Sequence, residues 1–408
     1  MTGPDLAVVV SEVTDFATLE ARWRDLETRS DPSFFQSWTW TGCLVEERFP
    51  DPVLVEARES GRTVALALFN RRGGTLYLGE SGDPTLDCPY IEFNGVLAET
   101  GREVELTLAC LRAARIGPGR WGIDRPRLGR WSIGLWGIGR PRLVLGGIDA
   151  STEAAAALTG QLRRIRSLAA PVVDLADQKK CFLDRRSANT RQQLRRSNRA
   201  YAQAGPITIE RAESLTRADA FLEGLIALHQ AAWTARGQPG AFAAPFFSRF
   251  HRALITRGLE RGEIALLRVA AGDQTIGFLY NFMYRGRCLA YQSGFDYADA
   301  GPRQKPGLTC HHEAIRFAHG AGARRYDFLA GDDRYKRSLS DRAEILHWVE
   351  VVDQYSPRFV VWWLWDRVTS GGRLLARGRD GGAGRSRLSS RVSPMLTDLK
   401  LFLRREVW

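Results

Sequence analysis

The second half of this 408-residue sequence repeats the order of predicted elements in its first half. A strand and one amphipathic helix in the first half, and a strand and two helices in the second, precede three short strands joined by tight turns, and another helix follows. In the second half these strands are predicted at 263–271, 275–284 and 288–295, and the helix at 308–319. The pattern predicts two copies of an α/β unit that begins with antiparallel strands, as in a mixed α+β sheet.

The length and composition agree with two globular domains rather than one core. We expect an N-terminal half at 1–150, a second half at 151–355 that opens with a helix at 151–168, and a basic amphipathic tail at 356–408. The apolar fraction is 44% and the net charge is +12, which points to anionic partners. Most of this excess charge lies in the tail, which holds eleven Lys/Arg and four Asp/Glu.

The sequence has no pattern of a disulfide framework, a zinc site or a membrane span. Its six cysteines form no CxxC pair, which favours reduced thiols. The first twenty residues lack the basic start and long apolar region of a signal peptide, and no run reaches about 18 apolar residues. His312-Glu313 is followed by Arg316 where a second zinc ligand would stand, so we expect no metal. We expect a cytoplasmic protein, with a possible peripheral contact to the inner membrane through the tail.

A local duplication interrupts the first half, because WGIDRPRL at 121–128 recurs as WGIGRPRL at 136–143. The insert around it, 116–148, interleaves arginines with three tryptophans. Duplicated Gly/Arg/Pro sequence is typical of an expanded loop. An electropositive stacking surface for single-stranded nucleic acid is the other interpretation.

Arg191, Arg195 and Arg199 lie four residues apart within a strongly basic run. In a helix this spacing puts three guanidinium groups on one face. Such a face suits phosphates or carboxylates, so these arginines are candidate substrate-binding residues. A solvated helix surface is the alternative.

The loop DYADAGPRQKPG leads from the strand at 288–295 into the helix at 308–319. A helix N-terminus has free backbone N–H groups and the positive end of the helix dipole, which together suit a pyrophosphate. Arg303 and Lys305 add positive charge beside it. This junction is therefore a candidate anion site, although any loop-to-helix junction offers the same amides.

Four segments of the second half resemble the GNAT acyltransferase superfamily. They are NTRQQLRRSNRAYAQAGPITIERA at 189–212, YQSGF at 291–295, PGL at 306–308 and YDFLAGDDRYKRSL at 326–339. In their order and spacing they are similar to the CelD/BcsL-type branch, the acetyltransferases associated with cellulose biosynthesis, which is related to the FemAB aminoacyl transferases. The likeness extends over residues 10–352 and implies an α/β fold with two GNAT-like halves in tandem.

The resemblance implies acetyl-CoA or another acyl-CoA as co-substrate. In the superfamily a Q/R-x-x-G-x-G/A turn binds the pyrophosphate, and the residues in its place, beside Arg303, are Gln304, Lys305, Pro306, Gly307, Leu308 and Thr309. Thr309 departs from the small residue of the pattern, and we expect its side chain to crowd the phosphates. The pantetheine groove is expected where the strand at 288–295 splays from that at 325–329, beside open backbone groups of Gln292, Ser293 and Gly294.

The Y-D-F-L-x-G-x-x-x-Y-K signature supplies the candidate catalytic residues. Acyl transfer to an amine needs removal of the ammonium proton, stabilisation of an oxyanion and an acid for the thiolate. We assign Asp327 to the amine, Tyr335 to proton donation and Lys336 to charge stabilisation, with both Asp327 and Lys336 facing the cleft. A purely structural Asp327 and a phosphate-binding Lys336 are the alternatives.

The resemblance thus favours an N-acyltransferase that moves an acyl group, expected to be acetyl, from acyl-CoA to an amine of a sugar, a sugar nucleotide or a cell-envelope or exopolysaccharide precursor. One alternative is a FemAB-like transferase that uses aminoacyl-tRNA. The other is a non-catalytic scaffold for polysaccharide synthesis at the membrane surface.

Removal of residues 356–408 tests whether the tail contacts membranes. Its apolar run FVVWWLW at 359–365 lies beside basic residues, a combination that suits a bilayer interface. A tail helix that packs back on the body of the protein is the alternative. We expect the full chain to sediment with anionic liposomes and the truncated chain to stay in the supernatant, with uncharged liposomes as control. Equal sedimentation of the two chains would contradict a membrane role for the tail.

Overall fold

The helices of the first half form where apolar residues recur at helical spacing. In α1 (Phe16–Thr28), Leu19, Trp23 and Leu26 are buried on one face. Asp15 caps this helix by accepting the backbone N–H of Thr18. The computed structural model describes residues 6–13, 15–116, 140–176, 182–331 and 333–353. Most of the predicted insert and the whole basic tail lie outside these described residues. The loop predicted over 116–148 is wrong at its end, because Arg142–Ile148 form a strand that pairs on both sides within the sheet.

The first half follows the predicted order of strands and helices. Its described elements are β1 (Leu6–Glu12), α1, α2 (Trp38–Arg48), β2 (Pro52–Glu59), β3 (Arg62–Arg72), β4 (Thr75–Leu78), β5 (Leu97–Ala98), α3 (Glu103–Ile116), β6 (Arg142–Ile148), α4 (Ala150–Ala157) and β7 (Gln161–Asp174).

The second half repeats that order after a connecting helix. Its described elements are the connector α5 (Ala188–Tyr201), then β8 (Ile207–Arg211), α6 (Leu215–Thr234), α7 (Pro245–Gly258), β9 (Ile264–Ala271), β10 (Gln274–Tyr284), β11 (Arg287–Phe295), α8 (Pro306–Gly320), β12 (Arg325–Asp327), α9 (Arg334–Leu339) and β13 (Arg342–Val352). None of the described helices is long and apolar enough to cross a bilayer.

The helix predicted at 151–168 is wrong beyond its first two turns. α4 ends at Ala157 and β7 begins at Gln161. At Gly160, between them, an added Cβ would lie 2.9 Å from both a Val351 methyl and the Val352 carbonyl oxygen, so a side chain would hinder this close approach to β13. Pairing with β13 along most of β7 then overrides the helical pattern of the sequence.

The described strands form one mixed sheet in the order β1-β2-β3-β4-β6-β13-β7-β12-β11-β10-β9-β8, with β5 beside β3. Two pairs are parallel, β4 with β6 and β11 with β12. These pairs occupy corresponding places in the two halves, which shows the repeat in three dimensions.

The last strand of each half pairs with the other half. β13 lies between β6 and β7, and β7 lies between β13 and β12. The repeat therefore divides between β7 and α5, later in the chain than the boundary predicted at residue 150. All described residues belong to one compact unit, so the two halves are not separate bodies.

An aromatic cluster packs the two halves together. Phe34, in the turn before α2, stacks on Phe282 of β10 with ring centroids 4.1 Å apart. Trp40 packs edge-on against both rings. Nearby, Arg285 donates to the carbonyl oxygen of Ser30 at 2.9 Å. The hydrophobic core therefore continues across the division between the halves.

Phe34→Ala tests whether the halves unfold together. Phe34 is fully buried, and truncation of a buried phenylalanine costs about 3–5 kcal/mol. We expect the free energy of unfolding in urea to fall by this amount, with a single transition in both variant and wild type. Phe16→Ala is the control, because this 36% exposed side chain should change the free energy by less than about 0.5 kcal/mol. Two separate transitions would contradict the shared core.

Candidate active site

A cavity opens where β11 and β12 separate. The two strands pair only from Arg287 to Leu289 on β11, opposite Arg325 to Asp327 on β12, whereas β11 continues to Phe295. The register between β10 and β11 shifts, so that Tyr291 is an extra residue on β11. Such bulges bend a strand and are frequent beside active sites.

The cavity has a volume of about 380 Å³, within the range of small-molecule sites. It is lined by residues of α6, β11, α8 and the β12–α9 segment. Tyr90 is the one lining residue, among those described, that belongs to the first half. Five predicted site residues line it together: Gln292, Ser293, Gly294, Tyr335 and Lys336.

The backbone of β11 is less open than the sequence predicts. The Tyr90 hydroxyl donates to the carbonyl oxygen of Tyr291 at 3.3 Å and accepts from Gln292 Nε2 at 2.9 Å. His229 Nε2 accepts the N–H of Ala241, so its Nδ1–H donates to the carbonyl oxygen of Ser293 at 3.1 Å. Two carbonyl groups on the expected groove are therefore already bonded by side chains that the sequence analysis did not consider.

The N-terminus of α8 adjoins the cavity. A Cβ on Gly307 would lie 3.2 Å from the ring of Phe295 and 3.3 Å from the Tyr297 hydroxyl, and both rings line the cavity. Arg303 and Lys305 are exposed in the preceding loop. Two neighbouring predicted residues serve the local structure: the Gln304 side chain accepts the N–H of Gly301, and Leu308 packs against the core.

Thr309 does not crowd the helix N-terminus, contrary to the sequence-based expectation. Its side chain is fully buried and faces α5, where its hydroxyl lies 2.8 Å from Ser197 Oγ and 3.0 Å from Asn198 Oδ1. Ser197 also accepts the backbone N–H of Lys305. These bonds tie α5 to the first turn of α8, which explains a hydroxyl residue at this position.

The arginine stripe of α5 lies outside the cavity. Arg195 and Arg199 are exposed, whereas α5 buries Leu194 and Ser197 on its opposite side. Arg191 donates to the carbonyl oxygen of Arg186 at 2.6 Å. None of the three arginines lines the cavity, so their predicted contact with substrate has no support from this geometry.

Tyr335 and Lys336 reach the cavity from α9. The ring of Tyr335 stacks on His311 at 5.2 Å, and burial raises the pKa of the Tyr335 hydroxyl above its usual range. Burial also lowers the pKa of Lys336, an effect that the carboxylate of Glu92 opposes. Lys336 Nζ donates to the carbonyl oxygen of Ala330 at 2.9 Å.

Asp327 does not face the cavity, which corrects its predicted position. Its carboxylate is 1% exposed and lies 2.5 Å from a guanidinium nitrogen of Arg325. Its other oxygen accepts the N–H of Leu329 at 2.9 Å. Burial raises the pKa of Asp327 while Arg325 opposes this rise. The geometry makes Asp327 a residue that fixes the end of β12.

Three cavity residues had no signal in the sequence. Tyr90 lies in a loop without a motif, His229 is the single histidine of α6, and His311 directly precedes the His312-Glu313 pair on α8 without being part of a metal-binding pattern. His311 Nδ1 lies 3.1 Å from the Tyr326 hydroxyl, and burial lowers its pKa to about 3, so its imidazole is neutral. The described residues contain no cluster of His, Cys, Asp or Glu suited to a metal ion.

Comparison with known proteins agrees with this geometry. A family model described as an acetyltransferase (GNAT) domain matches residues 188–337. These residues form a GNAT acetyltransferase domain. The match contains every predicted site residue and all of the cavity except Tyr90. The GNAT domain makes the chain an acyltransferase, and no curated protein matches the sequence.

Solved structures show the same fold beyond the GNAT domain. FemX is 9% identical, with a TM-score of 0.51 over 83% of this chain and 96% of its own. L-PGS from Bacillus licheniformis is 10% identical, with a TM-score of 0.50 over 88% of this chain and 96% of its own. These similarities extend over both halves, and the predicted α/β fold with a tandem GNAT-like arrangement is confirmed.

Thr309→Val tests the link between α5 and the first turn of α8. The substitution keeps the shape of the side chain and removes its hydroxyl, which leaves Ser197 and Asn198 each short of one partner. We expect the free energy of unfolding in urea to fall by about 1–3 kcal/mol. Thr256→Val is the control, because this exposed hydroxyl bonds only its own helix carbonyl. Equal effects of the two substitutions would contradict the assignment.

Proposed function

We propose that the chain transfers an acyl group, expected to be acetyl, from acyl-CoA to an amine of a sugar, a sugar nucleotide or another cell-envelope or exopolysaccharide precursor. The observation that carries the proposal is the cavity between β11 and β12, which is lined by Tyr335 and Lys336 and by Phe295 and Tyr297, the two rings beside Gly307 in the first turn of α8. A thioester held in this cavity has a helix N-terminus at one end and a proton donor and a cation at the other.

The end of the cavity beside α8 suits the pyrophosphate of CoA. Backbone amides at the start of a helix attract phosphate groups. Arg303 and Lys305 precede this turn. Arg236, a cavity-lining residue of the second half, carries a charge that acts on Tyr297 beside Gly307. These residues are the proposed donor site, and Arg236 adds a cation that the sequence analysis had not assigned.

The other end suits the chemistry of acyl transfer. A C–N bond forms and the thioester C–S bond breaks, while the amine loses a proton and the thiolate gains one. A tyrosine hydroxyl is protonated at neutral pH, and Tyr335 lines the cavity, so in this proposal it supplies the thiolate proton. The cation of Lys336 stabilises the negative charge on the carbonyl oxygen. Because Asp327 lies outside the cavity, an ordered water takes the amine proton in this proposal.

The position of Thr309 weakens the scaffold alternative. That alternative needed a side chain in the way of the phosphates, and Thr309 is turned into α5. The aminoacyl-tRNA alternative stays open, because the fold shared with FemX over both halves does not distinguish the two donors. Use of acyl-CoA implies a cytoplasmic enzyme, which the basic tail would bring to the inner membrane surface.

Calorimetric titration with acetyl-CoA, and with free CoA for comparison, tests the donor site. We expect micromolar binding of both to the wild type. Binding should be lost in Gly307→Trp, because a tryptophan side chain would occupy the space between the first turn of α8 and the rings of Phe295 and Tyr297. It should persist in Gly320→Trp, because this position at the other end of α8 has no neighbour within 4 Å.

Two outcomes would contradict the acyl-CoA proposal. Equal affinity of the two glycine variants would place CoA elsewhere. Failure of the wild type to bind either ligand, together with binding of bulk tRNA that weakens steeply with salt, would favour the aminoacyl-tRNA reaction instead.

A further inference from the structure

The turn between β12 and α9 is held from both halves of the molecule. Leu329 has a φ of +58° and Gly331 a φ of +130°, and a left-handed leucine persists only where its surroundings hold it. Between them, Ala330 donates its N–H to Glu92 Oε2 at 2.5 Å. Its carbonyl oxygen accepts from Lys336 Nζ at 2.9 Å. Glu92 of the first half and Lys336 of the second thus bind the N–H and the carbonyl of one residue.

Glu92 is also one of three carboxylates whose charges raise the pKa of Lys336, and its effect is the largest of the three, followed by those of Asp333 and Asp327. Its side chain is 3% exposed, and burial raises its pKa to about 7. The charged groups that act on it come from three elements: Lys336 on α9, Asp327 on β12 and Arg166 on β7. Of these, Asp327 already pairs with Arg325. A half-buried lysine without a nearby carboxylate tends to lose its proton, and Glu92 opposes this loss.

Tyr90, two residues earlier, places the same loop of the first half against the cavity. Its ring lies 5.1 Å from that of Tyr291, and its hydroxyl bonds the Tyr291 carbonyl oxygen. The Tyr291 hydroxyl in turn lies 3.4 Å from the Tyr90 carbonyl oxygen. This reciprocal pairing at the bulge of β11 fixes the loop, and therefore Glu92, relative to the GNAT domain.

We propose that Glu92 is a positioning residue of the acyl-transfer site, contributed by the first half, which holds the Leu329–Gly331 turn and keeps Lys336 cationic inside the cavity. The effect of Glu92 on acyl transfer rests on the proposed function. The effect of Glu92 on the pKa of Lys336 does not, and it can be measured without any substrate. Glu92 thereby gives the first half a part in the reaction although the match to the acetyltransferase domain begins at residue 188.

Glu92→Gln separates the two tasks, because a glutamine oxygen still accepts the Ala330 N–H but carries no charge. The readout is the pH dependence of Lys336 acetylation by acetic anhydride, measured by mass spectrometry, with the exposed Lys305 as internal reference. We expect the pKa of Lys336 to fall in the variant, so that its labelling at pH 8 rises about tenfold relative to Lys305. Glu105→Gln, which removes an exposed carboxylate paired with Arg102, should leave the ratio unchanged.

A second measurement uses acetyl-CoA as donor and glucosamine as a probe amine. Glu92→Gln should lower kcat at least tenfold and leave the KM for acetyl-CoA unchanged, because α8 and its loop are untouched. Unchanged labelling of Lys336, or an unchanged kcat in an active enzyme, would overturn the inference. If Glu92→Gln folds poorly, the coupling is measured by a double-mutant cycle with Lys336→Met, using the free energy of unfolding in urea. Additive effects of the two substitutions on this free energy would also overturn the inference.

The design separates the two proposals. A wild type that does not bind acetyl-CoA contradicts the proposed function, while the labelling of Lys336 still reports on its coupling to Glu92. A wild type that binds acetyl-CoA, together with unchanged Lys336 labelling in Glu92→Gln, contradicts this inference alone.

Discussion

The antiparallel pairing of β7 with β13 is the interaction on which the rest of the architecture depends. It extends from Val172 opposite Arg342 to Gln161 opposite Val352. β13, the last strand of the second half, also pairs with β6 of the first half. β7, the last strand of the first half, also pairs with β12 of the second half. Each half therefore contributes its last strand to the part of the sheet formed by the other half. Neither half has a closed set of backbone hydrogen bonds by itself, and an unpaired strand edge is costly to leave open. This pairing therefore makes two repeats into one folded unit.

The position of the cavity follows from the same arrangement. β12 has three residues and lies between β7 and β11. It ends at Asp327, whose carboxylate pairs with Arg325 and accepts the Leu329 N–H. β11 continues beyond this pairing with its bulge at Tyr291, and the candidate site is the gap between the two strands. The buried ion pair thus lies at the point where the strands separate.

The site is built largely from polar groups that already have partners. His229 bonds Ser293, Tyr90 bonds Tyr291, and Lys336 bonds Ala330. Buried polar atoms that are fully bonded hold a single geometry, which suits a reaction that depends on the placement of a thioester and an amine. The first half, outside the match to the acetyltransferase domain, supplies Tyr90 and Glu92 to this network. The first half therefore contacts the cavity lining as well as contributing strands to the sheet.

Sequence reasoning succeeded where function follows local order along the chain. The meander, the helix α8 and the segment with Tyr335 and Lys336 were predicted because turns, apolar periodicity and a compact signature are properties of neighbouring residues. Sequence reasoning failed where the direction of a side chain in the folded protein decides whether that residue faces the cavity. Thr309 lies on the predicted helix and Asp327 on the predicted strand. The side chain of Thr309 bonds α5, which packs on it, and the carboxylate of Asp327 pairs with Arg325, so neither side chain faces the cavity.

By itself, the sequence determined the repeated α/β units, because turns and apolar periodicity depend on residue types at short spacing, and its resemblance to a known superfamily predicted the candidate donor turn and the candidate catalytic residues. Only the tertiary structure decided that 161–174 is a strand, that the halves complete each other's sheet, that Tyr90 lines the cavity and that Glu92 bonds the backbone of Ala330. Residues 92 and 330 are brought within hydrogen-bond distance by the folded sheet. No local pattern encodes such a contact, because its free energy comes from burial and pairing between distant parts of the chain.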